Sequence, residues 1–181
     1  MSKMKPTPAK PVKYFIGALF SDKNLLEEAL RRAENIFSTA DLLSADFPFN
    51  LTDYYTSEMG SPIFRRFVSF SKLFSPDFLA SAKIHTNSIE DDLRVASLRK
   101  VNLDVGYIDY DKVVLASAKY GIHKIYLGQG IYADLTLHYV KGHYQPYDWA
   151  FQDFKSPDYH SFFLKMREIY KQQIKQVLLI R

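Results

Sequence analysis

Three carboxylates, Glu58, Asp104 and Asp134, stand in runs that are dense in tyrosine and glycine. The runs read TDYYTSEMG (Thr52 to Gly60), RKVNLDVGYID (Arg99 to Asp109) and KIYLGQGIYADLTLHY (Lys124 to Tyr139). A carboxylate so placed can exchange a proton with a ligand or accept a hydrogen bond from it, which makes these three the candidate catalytic groups. Tyr54, Tyr55, Asn102, Tyr107, Lys112, Gly130 and Tyr132 surround them in sequence and complete a candidate ligand-binding set of hydrogen-bonding groups, aromatic rings and one cation. Glycine weakens a strand unless the backbone bends or another group comes close, so Gly106, Gly128 and Gly130 point to a lined cleft.

Several chemistries lack their sequence basis. The chain has no cysteine, which removes disulfides, thiolate metal sites and a cysteine nucleophile. No HxH, HExxH or DxDxD spacing occurs, so no metal site is expected, and no cofactor is specified. A GxxxxGK[ST] loop and a GxSxG elbow are missing too.

The elements that must position these residues follow from periodicity and punctuation. Val12 to Phe20 is apolar and β-prone, and Asp22 can cap an amphipathic helix whose apolar residues run from Leu25 to Phe37. A weaker extended segment covers Leu42 to Phe49, the TDYYTSEMG run reads as a loop, and Phe64 to Phe70 resumes a strand. Ser75-Pro76-Asp77 is a helix start, and that helix is expected to reach about Val95. Val101 to Val105 reads as a strand, Asp109 to Tyr120 as a short helix closed by Gly121, and His123 to Leu127 with Ile131 to Val140 as a hairpin. A short strand near His143 to Pro146 follows, and Ser156-Pro157-Asp158 opens a long C-terminal helix.

On the hairpin's second strand, alternation puts Tyr132, Asp134, Thr136 and His138 on one face and Ile131, Ala133, Leu135 and Leu137 on the core face. Lys112 and Lys119 share a face of the short helix, where either could meet an anion. The order of the first six elements matches a ferredoxin-like βαββαβ core with a mixed or antiparallel sheet. The short helix, the hairpin and the C-terminal helix extend it, and the class is α+β.

With 181 residues and a net charge of +4, the chain suits one α+β domain over residues 12–181 behind a disordered basic tail at 1–11. The apolar run Tyr14 to Phe20 is too short to span a membrane, and a cysteine-free chain agrees with a cytoplasmic setting; the oligomeric state is not specified. A second reading competes with the cleft. YFIGAL at Tyr14 is close to the RNP2 pattern of RNA-recognition motifs and FVSF at Phe67 to the end of RNP1, so Phe15 and Phe67 could be stacking platforms on an open sheet face for RNA, or a docking face for protein. A non-catalytic scaffold is a third.

The three runs, together with PVKYFIG at the start, AKIHTNSIE and the late YDWAFQDFKS, resemble the bacterial family called domain of unknown function 4416, over Pro11 to about Tyr170. The resemblance marks Thr52, Tyr54, Tyr55, Glu58, Asn87, Asn102, Asp104, Tyr107, Lys112, Tyr132 and Asp134. It implies no established activity. Members are sometimes labelled GTP-binding proteins, a label that finds neither a P-loop nor an NKxD in this chain. Val105 stands where proline is usual in the family, and Asp134 where glutamate is usual. The expectation is a cleft for a small polar or phosphorylated ligand, a nucleotide being one such, lined by the candidate set.

Overall fold

The computed structural model describes residues 5–179. Residues 1–4 of the expected tail lie outside the described residues, whereas the carbonyl of Pro11 accepts a hydrogen bond from the Tyr170 hydroxyl at 3.0 Å. One antiparallel sheet runs through the molecule. Its strands are β1 (Val12–Phe20), β2 (Ala40–Leu43), β3 (Phe47–Pro48), β4 (Phe64–Phe74), β5 (Val101–Ile108), β6 (Lys112–Ser117), β7 (Ile125–Gly128), β8 (Ile131–Val140) and β9 (His143–Pro146). The order across the sheet is β2-β4-β1-β5-β6-β8-β7, with β3 added beside β4 and β9 beside β8. Four helices accompany it among the described residues: α1 (Lys23–Phe37), α2 (Thr56–Met59), α3 (Leu79–Asp92) and α4 (His160–Leu179).

Local signals explain the helix starts. Asp22 accepts hydrogen bonds from the amides of Asn24 and Leu25, which would otherwise lack partners at the first turn of α1. Ser75-Pro76-Asp77 leads through a 3-10 turn into α3, and Ser156-Pro157-Asp158 does the same for α4. No helix among the described residues is long and apolar enough to cross a membrane.

Alternation along β1 sends its side chains to two cores. Tyr14, Ile16, Ala18 and Phe20 meet Leu26, Phe37 and Leu79 beneath α1 and α3. Phe15 faces the other way and joins Phe67, Leu115, Phe163 and Met166 beneath α4. Burying such side chains contributes about 1.5–3 kcal/mol each, so both faces of the sheet are tied down. A smaller cluster of Leu19, Phe49, Met59 and Ile63 seats α2 at one end of the second face.

Several expectations change here. Asp109 to Tyr120 is not a helix but the turn into β6 and the strand itself. Asp109 accepts from the amides of Asp111 and Lys112, making a hairpin turn where a helix cap was expected, and β6 is buried on both faces, so it shows no alternation. Lys112 and Lys119 therefore share no helix face. The TDYYTSEMG segment is less of a loop than expected, because a 3-10 turn at Asp53–Tyr55 runs into α2. Phe15 and Phe67 are fully buried under α4, so they offer no stacking platform and the open-face RNA reading loses its residues.

On β8 the alternation breaks. The register with β6 jumps from Leu135↔Val114 to Leu137↔Val113, which leaves Thr136 as a bulge. Leu137 accordingly joins the α4 core, while Ile131, Ala133 and Leu135 stay with the α1–α3 core.

Candidate functional site

The β5–β6 ladder stops partway. Ile108, Tyr107 and Gly106 pair with Val113, Val114 and Leu115, but Ala116 and Ser117 have no partner on β5. Gly106 sits at the closing point, where a Cβ would lie 2.5 Å from the Val114 carbonyl oxygen, so only glycine lets the strands meet there. Beyond it the strands part and leave a cleft of about 510 Å³. The backbone freed by the parting is taken over by α3: Lys83 Nζ donates to the Leu103 carbonyl at 2.9 Å, and the Leu103 amide donates to Glu90 Oε1 at 2.8 Å. Lys83, Asn87 and Glu90 reach the cleft because spacings of four and three residues put them on one helix face.

The rest of the lining comes from distant segments. Tyr54 and Tyr55 enter from the turn before α2, Asn102 and Asp104 from β5, Ser117, Lys119 and Lys124 from β6 and the link to β7, and Asp134 from β8. Asp104 is held from behind. Arg65, buried in β4, donates to Asp104 Oδ2 at 2.7 Å, to the Gly17 carbonyl at 2.9 Å and to Asp153 Oδ2 at 2.8 Å, with Phe49, Phe67 and Phe154 rings around its guanidinium. Asn102 donates to the second Asp104 oxygen at 2.9 Å. Burial pushes the Asp104 carboxyl up, but the Arg65 and Lys83 charges and these hydrogen bonds outweigh it and leave the carboxyl below its ordinary value. Asp104 is therefore a fixed negative charge rather than a ready proton donor. Asp153 goes the other way, raised by burial and by Asp104 despite Arg65.

A second network fixes the wall. Arg99 donates to Glu58 Oε2 at 2.9 Å, Glu90 Oε2 at 3.0 Å and Asn102 Oδ1 at 2.8 Å, tying α2, α3 and β5 together. At the mouth, Lys119 Nζ donates to the Tyr54 hydroxyl at 3.0 Å. That hydrogen bond, then the Lys119 charge, lowers the Tyr54 phenol, whereas burial and then Asp104 push Tyr55 up to about 12. Lys124 Nζ donates to Ser117 Oγ at 2.9 Å and lies 3.3 Å from Asp134 Oδ2.

Residues 10–170 match the family model described as Domain of unknown function (DUF4416). The chain belongs to this family. Neither a curated protein nor a solved structure matches it.

Of the residues singled out in the DUF4416 sequence, six line the cleft together: Tyr54, Tyr55, Asn102, Asp104, Lys119 and Asp134, joined by Asn87 from the family resemblance. Glu58 stands one step behind, holding α2 to Arg99, and Thr52 accepts from the Tyr54 amide at 3.1 Å. Tyr132 packs against Tyr120 and Tyr126 on the hairpin next to the cleft. Gly128 and Gly130 adopt positive φ with open space where a Cβ would be, so they serve the β7–β8 turn and line no cleft. Tyr107 and Lys112 lie elsewhere, in a smaller pocket of about 340 Å³ with Lys10, Asp109 and Tyr170, where Lys112 pairs with Asp109.

The sequence reading of this DUF4416 chain missed Arg65, Lys83, Glu90, Arg99 and Asp153. A signal existed for two of them: an arginine inside the apolar strand β4, and a lysine facing the core on α3, both anomalous unless paired.

Proposed function

We propose that this protein binds a small polar anion, such as a phosphorylated metabolite, in the cleft where β5 and β6 part. The observation that carries the reading is the arrest of the ladder at Gly106 and Leu115, with an opening into which five separate segments bring charged side chains. Strand ladders normally continue or end in solvent; here the free edge is held open by buried Lys83 and Glu90. Lys119 is the anion anchor. Among the described side chains, which do not include that of Asp53, it has no carboxylate partner within 4.0 Å, whereas Arg94, Arg99 and Lys124 are each paired with an acid. We also read β1, α1, β2, β4, α3 and β5 as a ferredoxin-like unit, supported by the antiparallel order β2-β4-β1-β5 with α1 and α3 packed in one core.

A thermal-shift titration with inorganic phosphate tests the binding reading. Millimolar phosphate is expected to raise the midpoint of the wild type and to leave that of Lys119→Met unchanged. Stabilisation that survives Lys119→Met, or none by phosphate or any phosphate ester, overturns it.

A further inference from the structure

Resting on the proposed anion site, we propose that the ligand is a hydroxyl-bearing anion of the sugar-phosphate class, with a hydroxyl donating to Asp134 Oδ1 while its phosphate meets Lys119. Among the carboxylates that line the cleft, one keeps a buried oxygen without a partner. Asp104 receives Arg65 and Asn102. Both oxygens of Glu90 are taken, by the Leu103 amide and by Arg99. Asp134 differs. Its residue is 4% exposed, and Oδ1 is buried without a hydrogen-bond donor. His123 Nε2 stands 3.5 Å from that oxygen, and His123 is held by stacking on Trp149. A buried carboxylate oxygen left so has given up its hydration with nothing in exchange, a loss that a ligand donor would recover.

The donor's charge is limited by the neighbours. Lys124 already lies beside Asp134 Oδ2, and a ligand ammonium entering there would be repelled by it. A neutral hydroxyl is not. The lips of the cleft add a preference for a ring or carbon chain, since Tyr54 and Tyr120 line it with 62% and 73% of their surfaces exposed, and such ring faces take C–H groups well. An anionic end, an interior hydroxyl and an apolar face between them describe a phosphorylated polyol.

The test is isothermal titration of the full chain with inorganic phosphate, O-phosphoethanolamine, ribose 5-phosphate, glucose 6-phosphate and glycerol 3-phosphate. At least one phosphorylated polyol is expected to bind about tenfold or more tightly than phosphate, and more tightly than O-phosphoethanolamine. Asp134→Asn should erase that advantage, and because it removes the acid beside Lys124 the affinity for inorganic phosphate should hold or rise rather than fall. Lys119→Met should weaken phosphate and polyol phosphates alike. Circular dichroism of both variants checks folding, and Asp134→Glu, which restores a carboxylate, should recover part of the preference. Phosphate binding through Lys119 with no polyol preference, or a preference untouched by Asp134→Asn, overturns this inference and leaves the anion site standing. Tighter binding of O-phosphoethanolamine overturns the choice of hydroxyl, and no binding by any probe overturns both.

Discussion

The two ends of β5 carry similar residue types and are built differently. At the Tyr107 end, Lys112 meets Asp109 three residues away across a hairpin turn, and the ladder with β6 is closed. At the Asn102–Asp104 end the ladder is open, and the charges find partners far along the chain, Asp104 with Arg65, Arg65 with Asp153 and Arg99 with Glu58, besides the nearer pair of Arg99 with Glu90. A local pair forms wherever a turn allows it and is worth little on a surface. Charges assembled from several elements around a gap must be held against their own desolvation, and it is at this second end that we place the proposed ligand site.

Removing the central cation should show the largest contrast. Arg65→Met leaves Asp104 and Asp153 facing each other without their counter-charge and is expected to cost about 3–5 kcal/mol in urea unfolding. Lys112→Met at the other end should cost less than about 1 kcal/mol. Equal losses would erase the distinction drawn between the two ends.

Next in size are the glycines. Gly106→Ala places a Cβ 2.5 Å from a carbonyl oxygen at the fork, and about 1–3 kcal/mol of destabilisation is expected together with displaced amide resonances on β5 and β6. Gly130→Ala meets no neighbour and loses only what its φ of +75° costs an alanine, about 1–2 kcal/mol, with amide changes confined to the β7–β8 turn.

The pH dependence should carry two opposite signs. Because the folded Asp104 carboxyl lies below its ordinary value, its contribution is complete above about pH 4 and lost as pH falls through the folded value, so Asp104→Asn should flatten the acid limb. Glu90 is raised, first by burial, against Lys83, the Leu103 amide and Arg99. Its contribution is complete below about pH 4 and is lost as pH rises through the folded value, so Glu90→Gln should remove a decline on that side. Urea midpoints at a series of pH values decide between these slopes and a shared one. The smallest effect concerns Tyr54: its phenolate absorbance should appear at lower pH in the wild type than in Lys119→Met, and to a lesser degree at high salt.

Much of the scaffold was legible because its signals are local. The β1–α1 unit shows a run of apolar residues and then a cap at Asp22, and the Ser-Pro-Asp starts of α3 and α4 are equally explicit. β6 was not, since KVVLAS is apolar on both faces and Ala116, Ala118 and Gly121 imitate the end of a helix. The bulge at Thr136 was hidden too, because one extra residue leaves the alternating pattern intact in sequence while turning Leu137 to the other core. For the site, the tyrosine and carboxylate runs pointed to the stretch of β5 and to the Asp134 that line the cleft. The fork did not show, because the end of a ladder depends on what the partner strand does. Glu90 looked like an ordinary position on α3 until that fork gave it the Leu103 amide to hold, and Asn87 was marked by the family resemblance alone.

The most direct test of the central claim is an amide chemical-shift titration of the wild type with ribose 5-phosphate, the simplest phosphorylated polyol. Shifts should concentrate at Leu103, Asp104, Ala116, Ser117 and Lys119, at the open end of β5, and leave Tyr107 to Lys112 unmoved. Shifts centred on Tyr107 and Lys112, or none anywhere at millimolar ligand, would contradict the account.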